Sequence, residues 1–212
     1  AAGVASQAPE FTLQDGMSLY SRFVLAPLIN CACGCKMIND KRALIVPQAR
    51  GVVLELGAGP GYNLQFYDPA IVSKVIAVEP EQAFEPAFRK AARQTPIDVE
   101  LRLETAEQMN LPPHSVDTIL ATFVLCTIPD GVSALKAAKR ALRPNGRLIF
   151  CEHGLAPDPK VARTQKRLDP VWKSIFGGCH LSRPVPTLIE SAGFRLEALD
   201  KGYMPGSPRF AS

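Results

Sequence analysis

Residues 52–63 have the sequence VVLELGAGPGYN, in which a short apolar run passes into Gly57, Gly59 and Gly61. An apolar run of this length, bounded by glycines, predicts a buried strand followed by a tight turn. Because glycine has no Cβ, such a turn lets the backbone approach a bound molecule closely. Turns of this kind connect a strand to a helix in many nucleotide-binding folds, so the segment predicts a ligand site as well as a strand.

The residues that follow this turn alternate between short β-rich runs and helical patterns. Strands that alternate with helices predict a parallel sheet with helices on both faces, and right-handed crossovers make that sheet doubly wound. The predicted fold is therefore α/β and Rossmann-like. The predicted strands lie at 52–56, 75–78, 99–103, 118–125 and 147–151, and the predicted helices between them lie around 62–67, 82–94 and 131–142.

Beyond the fifth strand, the sequence predicts a long helix around 159–176, kinked near Pro170, and a shorter one near 185–192. A further strand is expected from Phe194, and a final one would begin near Phe210. These elements complete a chain of 212 residues, which is the size of one ordinary domain.

The N-terminal quarter of the chain is expected to differ from the rest. Residues 1–16 lack hydrophobic periodicity and are interpreted as a leader or a disordered tail, which leaves 17–212 as a single domain. Helices are expected around 18–33 and 35–46, and together residues 17–50 would cover the ligand site as a lid.

Charge and composition narrow the range of partners and compartments. The net charge of +4 comes from scattered Lys and Arg residues, which excludes a nucleic-acid-binding stripe. The most apolar stretch, residues 23–38, is too short and too interrupted to span a bilayer, so we expect at most weak peripheral membrane contact. Cys126 and Cys151 lie in or beside apolar strand patterns, as expected for free thiols in the reducing cytoplasm.

The spacing of the glycines distinguishes between two classes of ligand. A dinucleotide fingerprint, G-x-G-x-x-G, would need its third glycine at position 62, where this sequence has Tyr62. Here the third glycine comes one residue earlier, and Glu55 precedes the loop. S-adenosylmethionine (SAM) carries no phosphate and needs only room and polar contacts, so the pattern favours SAM.

Two acidic positions downstream support this interpretation. The strand at 75–78 ends in Glu79, and a carboxylate at the end of the second strand can accept hydrogen bonds from both ribose hydroxyls. Glu107 could accept a hydrogen bond from the adenine amine, although an exposed helix turn explains it equally well. The residues expected to bind the cofactor are Glu55, Gly57, Ala58, Gly59, Gly61, Asn63, Glu79, Pro80, Ala106, Glu107, Thr122 and Phe123.

These segments together resemble the class I SAM-dependent methyltransferases. The sequences VDTILATFVLCTIPD at 116–130 and ALRPNGRLIFCEHG at 141–154 resemble that family's fourth strand and its next helix, turn and fifth strand. The resemblance covers about residues 18–210. It implies a mostly parallel seven-stranded sheet in the order 3-2-1-4-5-7-6, and a cofactor that leaves as S-adenosylhomocysteine.

Three further segments resemble the methyltransferase-like thiol methyltransferases, which S-methylate small thiols. The segments are FVLCTI at 123–128, CEHG at 151–154 and DPVWKSIFGGCHLSR at 169–183. Mammalian members carry a long N-terminal membrane anchor, whereas the apolar stretch seen here is short. The resemblance therefore implies a small-molecule thiol acceptor more firmly than it implies membrane attachment.

Acceptor-side residues should follow the fourth and fifth strands, because open α/β sheets bind ligands at the carboxyl ends of their strands. His153 is the first candidate for a general base or acceptor-orienting group, with Glu152 beside it, since imidazole takes a proton near neutral pH. A histidine that caps the fifth strand is an equally good interpretation. Substrate contacts are expected from Val124, Trp172, Cys179 and His180.

Some of these substrate positions have a structural alternative. Trp172 and Phe176 lie four residues apart, a spacing that also suits packing of a helix on the sheet. Cys179 matches the Gly-Cys pair of the thiol methyltransferases, whereas His180 has no general counterpart there. Direct transfer needs no covalent enzyme intermediate, so a structural role suits Cys179 better than a nucleophilic one.

The CACGC cluster, with Cys31, Cys33 and Cys35, invites a metal interpretation. Three thiolates could bind zinc or trivalent arsenic, but C-x-C-x-C is not the C-x-x-C spacing of ordinary zinc sites. Small apolar residues that pack a helix over the core explain the cluster better. The sequence therefore predicts no metal site.

The leading functional hypothesis is a SAM-dependent enzyme that methylates the sulfur of a small thiol in line. The alternatives are N- or O-methylation of a small metabolite, quinone precursor or lipid headgroup, arsenite methylation, and a SAM-binding protein without turnover. A nicotinamide-dependent dehydrogenase is disfavoured by Tyr62. The pattern carries no indication of oligomeric state.

Overall fold

The computed structural model describes Pro27, residues 33–204 and residues 206–211. The expected leader at 1–16, nearly all of the expected helix at 18–33 and Cys31 lie outside these residues. Helix α1 spans Lys36–Ile45, which confirms the helix expected at 35–46, and continues into a 3-10 turn. Within the described part of the chain, no helix has both the length and the apolar content needed to cross a bilayer.

Within the described residues, five strands form one parallel sheet. Neighbouring strands pair in the order β3-β2-β1-β4-β5, so the chain moves outward from β1 in one direction and then returns to build in the other. This reversal places a switch point between β1 and β4, where doubly wound sheets bind their ligands. The strands are β1 (Gly51–Leu56), β2 (Val72–Val78), β3 (Asp98–Arg102), β4 (Val116–Thr122) and β5 (Leu142–Cys151).

Helices connect β2 to β3 and β4 to β5, and they pack on the sheet. Asp130 begins the helix after β4 by accepting a hydrogen bond from the backbone N–H of Ser133, and Asp158 begins the helix after β5 in the same way, from Lys160. The helices after α1 are α2 (Glu85–Ala92), α3 (Gly131–Ala141), α4 (Pro159–Ile175) and α5 (Val185–Ser191), and single 3-10 turns occupy Val46–Gln48, Leu64–Phe66, Gln82–Phe84 and Arg209–Ala211.

The helix expected at 62–67 is not present as an α-helix. The chain instead makes a turn and one 3-10 turn, Leu64–Phe66. Tyr67 leaves the helical conformation, with a ψ of 137°, and its hydroxyl donates to Glu55. The side chain of Asn63 also points inward and donates hydrogen bonds to Glu55 and Thr122, in place of a regular helix at this point.

The seven-stranded order is reached only as far as its first five strands. Residues 194–204, where a further strand was expected, contain no strand. Phe194 and Leu196 do pack against the core in alternation, as a strand would, but no hydrogen-bonded neighbour pairs with them among the described residues. Alternation reports burial on one face, whereas a strand also needs a partner.

Two apolar clusters lie on opposite faces of the sheet. Leu54 and Leu56 of β1 pack with α3 and α5 on one face, while Val53 packs beside Phe88 of α2 on the other. Glu55 shares the second face and is only 1% exposed. A carboxyl group at such a position needs hydrogen-bond partners, and its partners lead to the ligand site.

Candidate cofactor and acceptor site

The loop after β1 has the backbone that its glycines predict. Gly57, Gly59 and Gly61 all have positive φ values, of 62°, 54° and 86°. A Cβ on Gly57 would lie 2.0 Å from Cγ2 of Val124, so the loop can approach the end of β4 only because the residue is glycine.

Gly59 faces open space. A Cβ built on it would meet no atom within 4 Å, and its N–H donates to Oε2 of Glu79 at 2.8 Å. The middle of the loop is therefore bare backbone, held at a fixed distance from the acid at the end of β2. This is the surface that a ligand would cover.

Glu79 is buried, and both of its oxygens already accept hydrogen bonds from backbone. Oε2 accepts from Gly59, and Oε1 accepts from Glu81 at 2.9 Å. Burial raises the pKa of Glu79, and the two backbone N–H groups oppose that shift. Each carboxylate oxygen has capacity for a second donor, so ribose hydroxyls can still bind there.

Glu55 lies behind the loop and acts on Asn63. Asn63 Nδ2 donates to Oε1 of Glu55 and to Oγ1 of Thr122, both at 2.9 Å, while Tyr67 donates to Oε2 of Glu55 at 2.6 Å. Burial raises the pKa of Glu55 to about 7, although the bonds from Tyr67 and Asn63 oppose the rise. Glu55 does not line the cavity, so its geometry favours a positioning role.

Asn63 is left with one buried atom that no group in the described structure satisfies. With Nδ2 fixed by Glu55 and Thr122, its Oδ1 oxygen has no hydrogen-bond partner. Asn63 lines the cavity, and a buried acceptor without a donor is costly. The side chain is thus prepared to accept a hydrogen bond from a ligand.

A cavity of about 360 Å³ runs along the carboxyl ends of the strands, a volume typical of small-molecule sites. Most of the residues expected at the cofactor line it. These are Gly57, Ala58, Gly59, Asn63, Glu79, Pro80, Ala106, Glu107, Thr122 and Phe123, together with the expected substrate residue Val124. The expected site residues Gly61, Glu152, His153, Trp172, Cys179 and His180 do not line this cavity.

Arg42 of α1 is a cavity residue that the sequence interpretation missed. It is 4% exposed, and its guanidinium lies over the rings of Tyr62 and Phe123, 5.0 Å and 5.6 Å from their centroids. Nη1 donates to the carbonyl of Cys33 and to Oδ1 of Asn39, and the buried Nε has no partner in the described structure. Burial lowers the pKa of Arg42, but guanidinium remains charged at neutral pH.

Other residues that the sequence interpretation missed also line the cavity. Several of them are next to predicted site residues in the sequence. This adjacency is the signal that could have indicated them. They are Cys33, Pro60, Tyr62, Val78, Glu81, Phe84, Thr105, Thr127, Ile128, Pro129 and Gly177.

Glu152 holds the turn after β4 in shape. Its Oε1 accepts the backbone N–H groups of Val124 and Leu125 at 2.8 Å and 3.0 Å. The preceding residue, Phe123, has a φ of 55°, which is uncommon for a residue with a side chain. Burial raises the pKa of Glu152 to about 7. Its contacts favour positioning of the turn, and its predicted catalytic role stays a prediction.

His153 meets two cysteines instead of the cavity. Its Nε2 lies 3.0 Å from Sγ of Cys179, and Sγ of Cys179 lies 3.6 Å from Sγ of Cys126. Burial lowers the pKa of His153, but the contact with Cys179 and the nearby Glu152 outweigh it and the net shift is upward. Nδ1 is buried without a partner in the described structure.

The loop that carries Cys179 is fixed from two sides. Asp169 of α4 accepts hydrogen bonds from Leu181 and Ser182, and Nδ1 of His180 lies 3.3 Å from its Oδ2. Arg183 donates to the carbonyl of Leu125 at 2.8 Å, which ties the loop to the turn after β4. His180 therefore belongs to the loop's internal contacts.

Comparison with known proteins agrees with this geometry. Residues 54–150 match the methyltransferase domain family. The chain is 38% identical to thiol S-methyltransferase TMT1B of Rattus norvegicus over 170 residues, which is 75% of this chain and 69% of the rat protein. Against thiol S-methyltransferase TMT1B of Homo sapiens the identity is 33% over 187 residues, 82% of this chain and 74% of the human protein. The chain belongs to the TMT1 family of SAM-dependent methyltransferases.

Solved structures of other methyltransferases share the fold. A SAM-dependent methyltransferase of Leishmania major superposes with a TM-score of 0.64 at 17% identity, over 91% of this chain and 77% of its own. One from Mesorhizobium loti superposes with a TM-score of 0.60 at 18% identity, over 82% of this chain and 87% of its own. The Rossmann-like fold expected of a TMT1-family enzyme is thus confirmed.

The cavity suits the cofactor of this methyltransferase family. Gly59 presents bare backbone to open space, and Asn63 Oδ1 is a buried acceptor that lacks a donor. Glu79 offers carboxylate oxygens between them. An adenosine and an amino-acid ammonium group need these partners, and the TMT1-family enzyme uses SAM.

Proposed function

We propose that this methyltransferase transfers the methyl group of SAM to the sulfur of a small thiol. The observation that carries the proposal is Arg42, the single cation among the described residues that line the cavity, at its otherwise apolar end. The TMT1 proteins of rat and human, named thiol S-methyltransferases, support the same acceptor at 33–38% identity.

The order of the strands supports a proposed role for each of the two ends of the cavity. Ala106 and Glu107 follow β3 and Glu79 follows β2, so adenine and ribose would bind on that side. Asn63 Oδ1, beside β1 and β4, would accept a hydrogen bond from the ammonium of the methionine portion. When bound, SAM supplies a methyl group on a positively charged sulfur, and the acceptor must lie in line with it.

The acceptor would bind beyond this point, at the end of β4. Val124, Thr127, Ile128 and Gly177 line the cavity there, and Arg42 lies over Phe123. A buried guanidinium stabilises a thiolate and repels an ammonium group. This environment favours sulfur over a protonated amine as the methyl acceptor.

Methyl transfer to a thiol requires the protein mainly to position the two reactants and to supply a nearby positive charge. The acceptor thiol loses its proton to solvent, and its sulfur forms a bond to the methyl carbon. The bond from that carbon to the sulfonium sulfur breaks, and its electron pair stays with S-adenosylhomocysteine. A thiol has an ordinary pKa of about 8.5, so a nearby cation supplies much of the activation that an alcohol would need from a strong base.

A matched acceptor panel tests the proposal. The panel would be thiophenol, aniline and phenol, which share one ring and differ in the reacting atom, together with a cationic alkylamine and its thiol analogue. We expect label from methyl-labelled SAM to appear on sulfur. Label on nitrogen or oxygen alone would contradict thiol methylation and leave the fold and cofactor untouched.

The Arg42→Met variant tests the observation behind the proposal. Methionine keeps much of the volume and removes the charge, so we expect kcat/KM for the thiol to fall about tenfold, or ~1.4 kcal/mol. The preference for thiol over cationic amine should fall with it, while SAM affinity is retained. A loss of SAM affinity with unchanged preference would assign Arg42 to the cofactor carboxylate and remove this support for a thiol.

A further inference from the structure

Three potential metal ligands meet beside the acceptor end of the cavity. Cys126 lies in the turn after β4, His153 follows β5, and Cys179 lies in the loop after α4. One ligand atom of each lies within 4.8 Å of the other two. The three residues, which we call the Cys-His-Cys cluster, come from separate parts of the chain and are brought together only by the fold.

The spacing of the ligand atoms is close to that of a tetrahedral zinc site. Zinc–sulfur and zinc–nitrogen bonds of ordinary length place two sulfurs about 3.8 Å apart and a sulfur and nitrogen about 3.5 Å apart. The two sulfurs of Cys126 and Cys179 are 3.6 Å apart, and Nε2 of His153 lies 3.0 Å from Sγ of Cys179. Small side-chain movements would admit the ion.

The backbone around the Cys-His-Cys cluster is held by contacts that do not involve the three side chains. Glu152 fixes the turn that contains Cys126, and Asp169 fixes the loop that contains Cys179. The backbone N–H of His180 also donates to the carbonyl of Cys126 at 2.9 Å. Ligands fixed in advance lose little conformational freedom when a metal binds.

Softness and ligand number indicate the kind of ion. Two thiolates and one imidazole suit Zn²⁺ better than the hard cations Mg²⁺ or Ca²⁺. Catalytic zinc sites have three protein ligands and keep the fourth position for water or substrate. Cys33 lies near enough to Cys179 to affect its electrostatics, but it is not one of the three grouped ligands.

We infer that Cys126, His153 and Cys179 bind one Zn²⁺ ion whose fourth position takes the sulfur of the acceptor thiol. The second half of this inference rests on the proposed thiol methylation. Thr127, which follows Cys126 in the chain, and Gly177, two residues before Cys179, line the cavity, so the Cys-His-Cys cluster lies beside its acceptor end.

The ion would supply the thiolate that methyl transfer requires. On coordination the acceptor thiol loses its proton to solvent, because a metal-bound thiol is deprotonated. A remaining lone pair on its sulfur forms the bond to the methyl carbon, and the old carbon–sulfur bond leaves its electrons on the departing cofactor product. The methylated product is a neutral thioether, a weaker ligand, and it dissociates. His153 then acts as a ligand and not as a base.

Metal content is the first test. The full chain, purified under reducing conditions, should contain about one zinc per chain, and Cys179→Ser and His153→Gln should each weaken zinc binding about a hundredfold or more. Cys151→Ser is the matched control, because Cys151 lies next to Glu152 but outside the Cys-His-Cys cluster. No zinc above background, or binding that survives both cluster variants, overturns the inference.

Cobalt substitution tests the open position. Co²⁺ in the site should show a charge-transfer absorption whose intensity corresponds to two thiolate ligands. An added acceptor thiol should increase the intensity to that of three thiolate ligands. Absorption for three sulfurs before addition, lost in Cys33→Ser, would reveal a closed structural site and overturn the open position.

Activity separates this inference from the proposed function. Full thiol methylation by zinc-free protein would overturn the role of the ion and leave the proposed function intact. Zinc bound by the three residues, with label transferred only to nitrogen or oxygen, would support the metal site and overturn both thiol methylation and the acceptor's place on the ion.

Discussion

Glu79 joins the glycine loop to the predicted ribose position, so its substitution should weaken cofactor binding before it affects other properties. Glu79→Ala deletes the acceptor of the Gly59 and Glu81 N–H groups as well as the predicted ribose contact. We expect SAM binding to weaken by about 1–3 kcal/mol, the usual cost of losing such an acceptor, measured by titration calorimetry. Glu85→Ala, an acid paired with Arg89 on the surface of α2, is the control. Equal affinity in both variants would mean that the ribose binds elsewhere.

Sequence patterns identified the acids and glycines of the cofactor site but did not identify Arg42. The glycines and Glu79 have fixed offsets from a strand end, and such offsets are visible in a sequence. Arg42 acts through α1, whose distance from the sheet no local pattern gives. Its signal was weaker: Ile38 and Val46 lie four residues to either side of Arg42, and all three are buried, so the arginine lies on the apolar face of its helix.

Between α4 and α5, one carboxylate, that of Asp169, contacts three residues of the loop at 177–183, namely His180, Leu181 and Ser182. Burial would raise the pKa of Asp169, but hydrogen bonds from Ser182, His180 and Leu181 outweigh it and lower the pKa. Asp169→Ala should therefore loosen the loop, lower stability by about 1–3 kcal/mol and reduce turnover, while SAM affinity is kept. Hydrogen exchange of 177–183 and thermal unfolding would measure this.

Asp158 provides the comparison for that variant. Asp158→Ala removes the N-cap of the same helix, α4, at its other end. It should cost about 1 kcal/mol of stability but leave the exchange of the loop and turnover unchanged. If both variants slow turnover alike, the loop has no special part in acceptor binding.

The helices and strands were predicted correctly where a hydrophobic period in the sequence coincides with a packing or pairing partner in the fold. All five predicted strands and the first five places of the sheet order are confirmed, because buried apolar runs that alternate with helices have few other solutions. The prediction was wrong for 62–67, where the buried hydrogen bonds of Asn63 and Tyr67 override a helical pattern, and for the strand from Phe194. Convergence of Cys126, His153 and Cys179 could not be predicted, since it depends on three separate loops.

Across the whole molecule, buried acids make stability depend on pH. Burial raises the pKa values of Glu55 and Glu152 from an ordinary 4.5 to about 7. The unfolded chain releases these protons at lower pH than the folded chain, so folding stability is highest below about pH 4.5 for these groups and falls as pH rises to about 7. We expect the midpoint of thermal unfolding to decrease over this range.

Glu55→Gln isolates one of the two contributions. An amide has no such proton to lose, so the decrease between about pH 4.5 and 7 should become shallower than in the parent chain. Asp117 and Asp169, whose pKa values are lowered below the ordinary value of 3.8, act outside this window. If the stability of the parent chain rises between about pH 4.5 and 7, the raised pKa values of Glu55 and Glu152 are contradicted.

Trp172 gives the molecule a reporter of its own. It is the only tryptophan in the sequence, and it stacks on Phe176 with 4.0 Å between ring centroids, in the last turn of α4 before the loop that carries Cys179. Its fluorescence therefore originates from one place, at the end of α4. Emission changes on adding an acceptor can be followed in real time without a dye or label, and stopped-flow traces would separate acceptor docking from the slower methyl transfer.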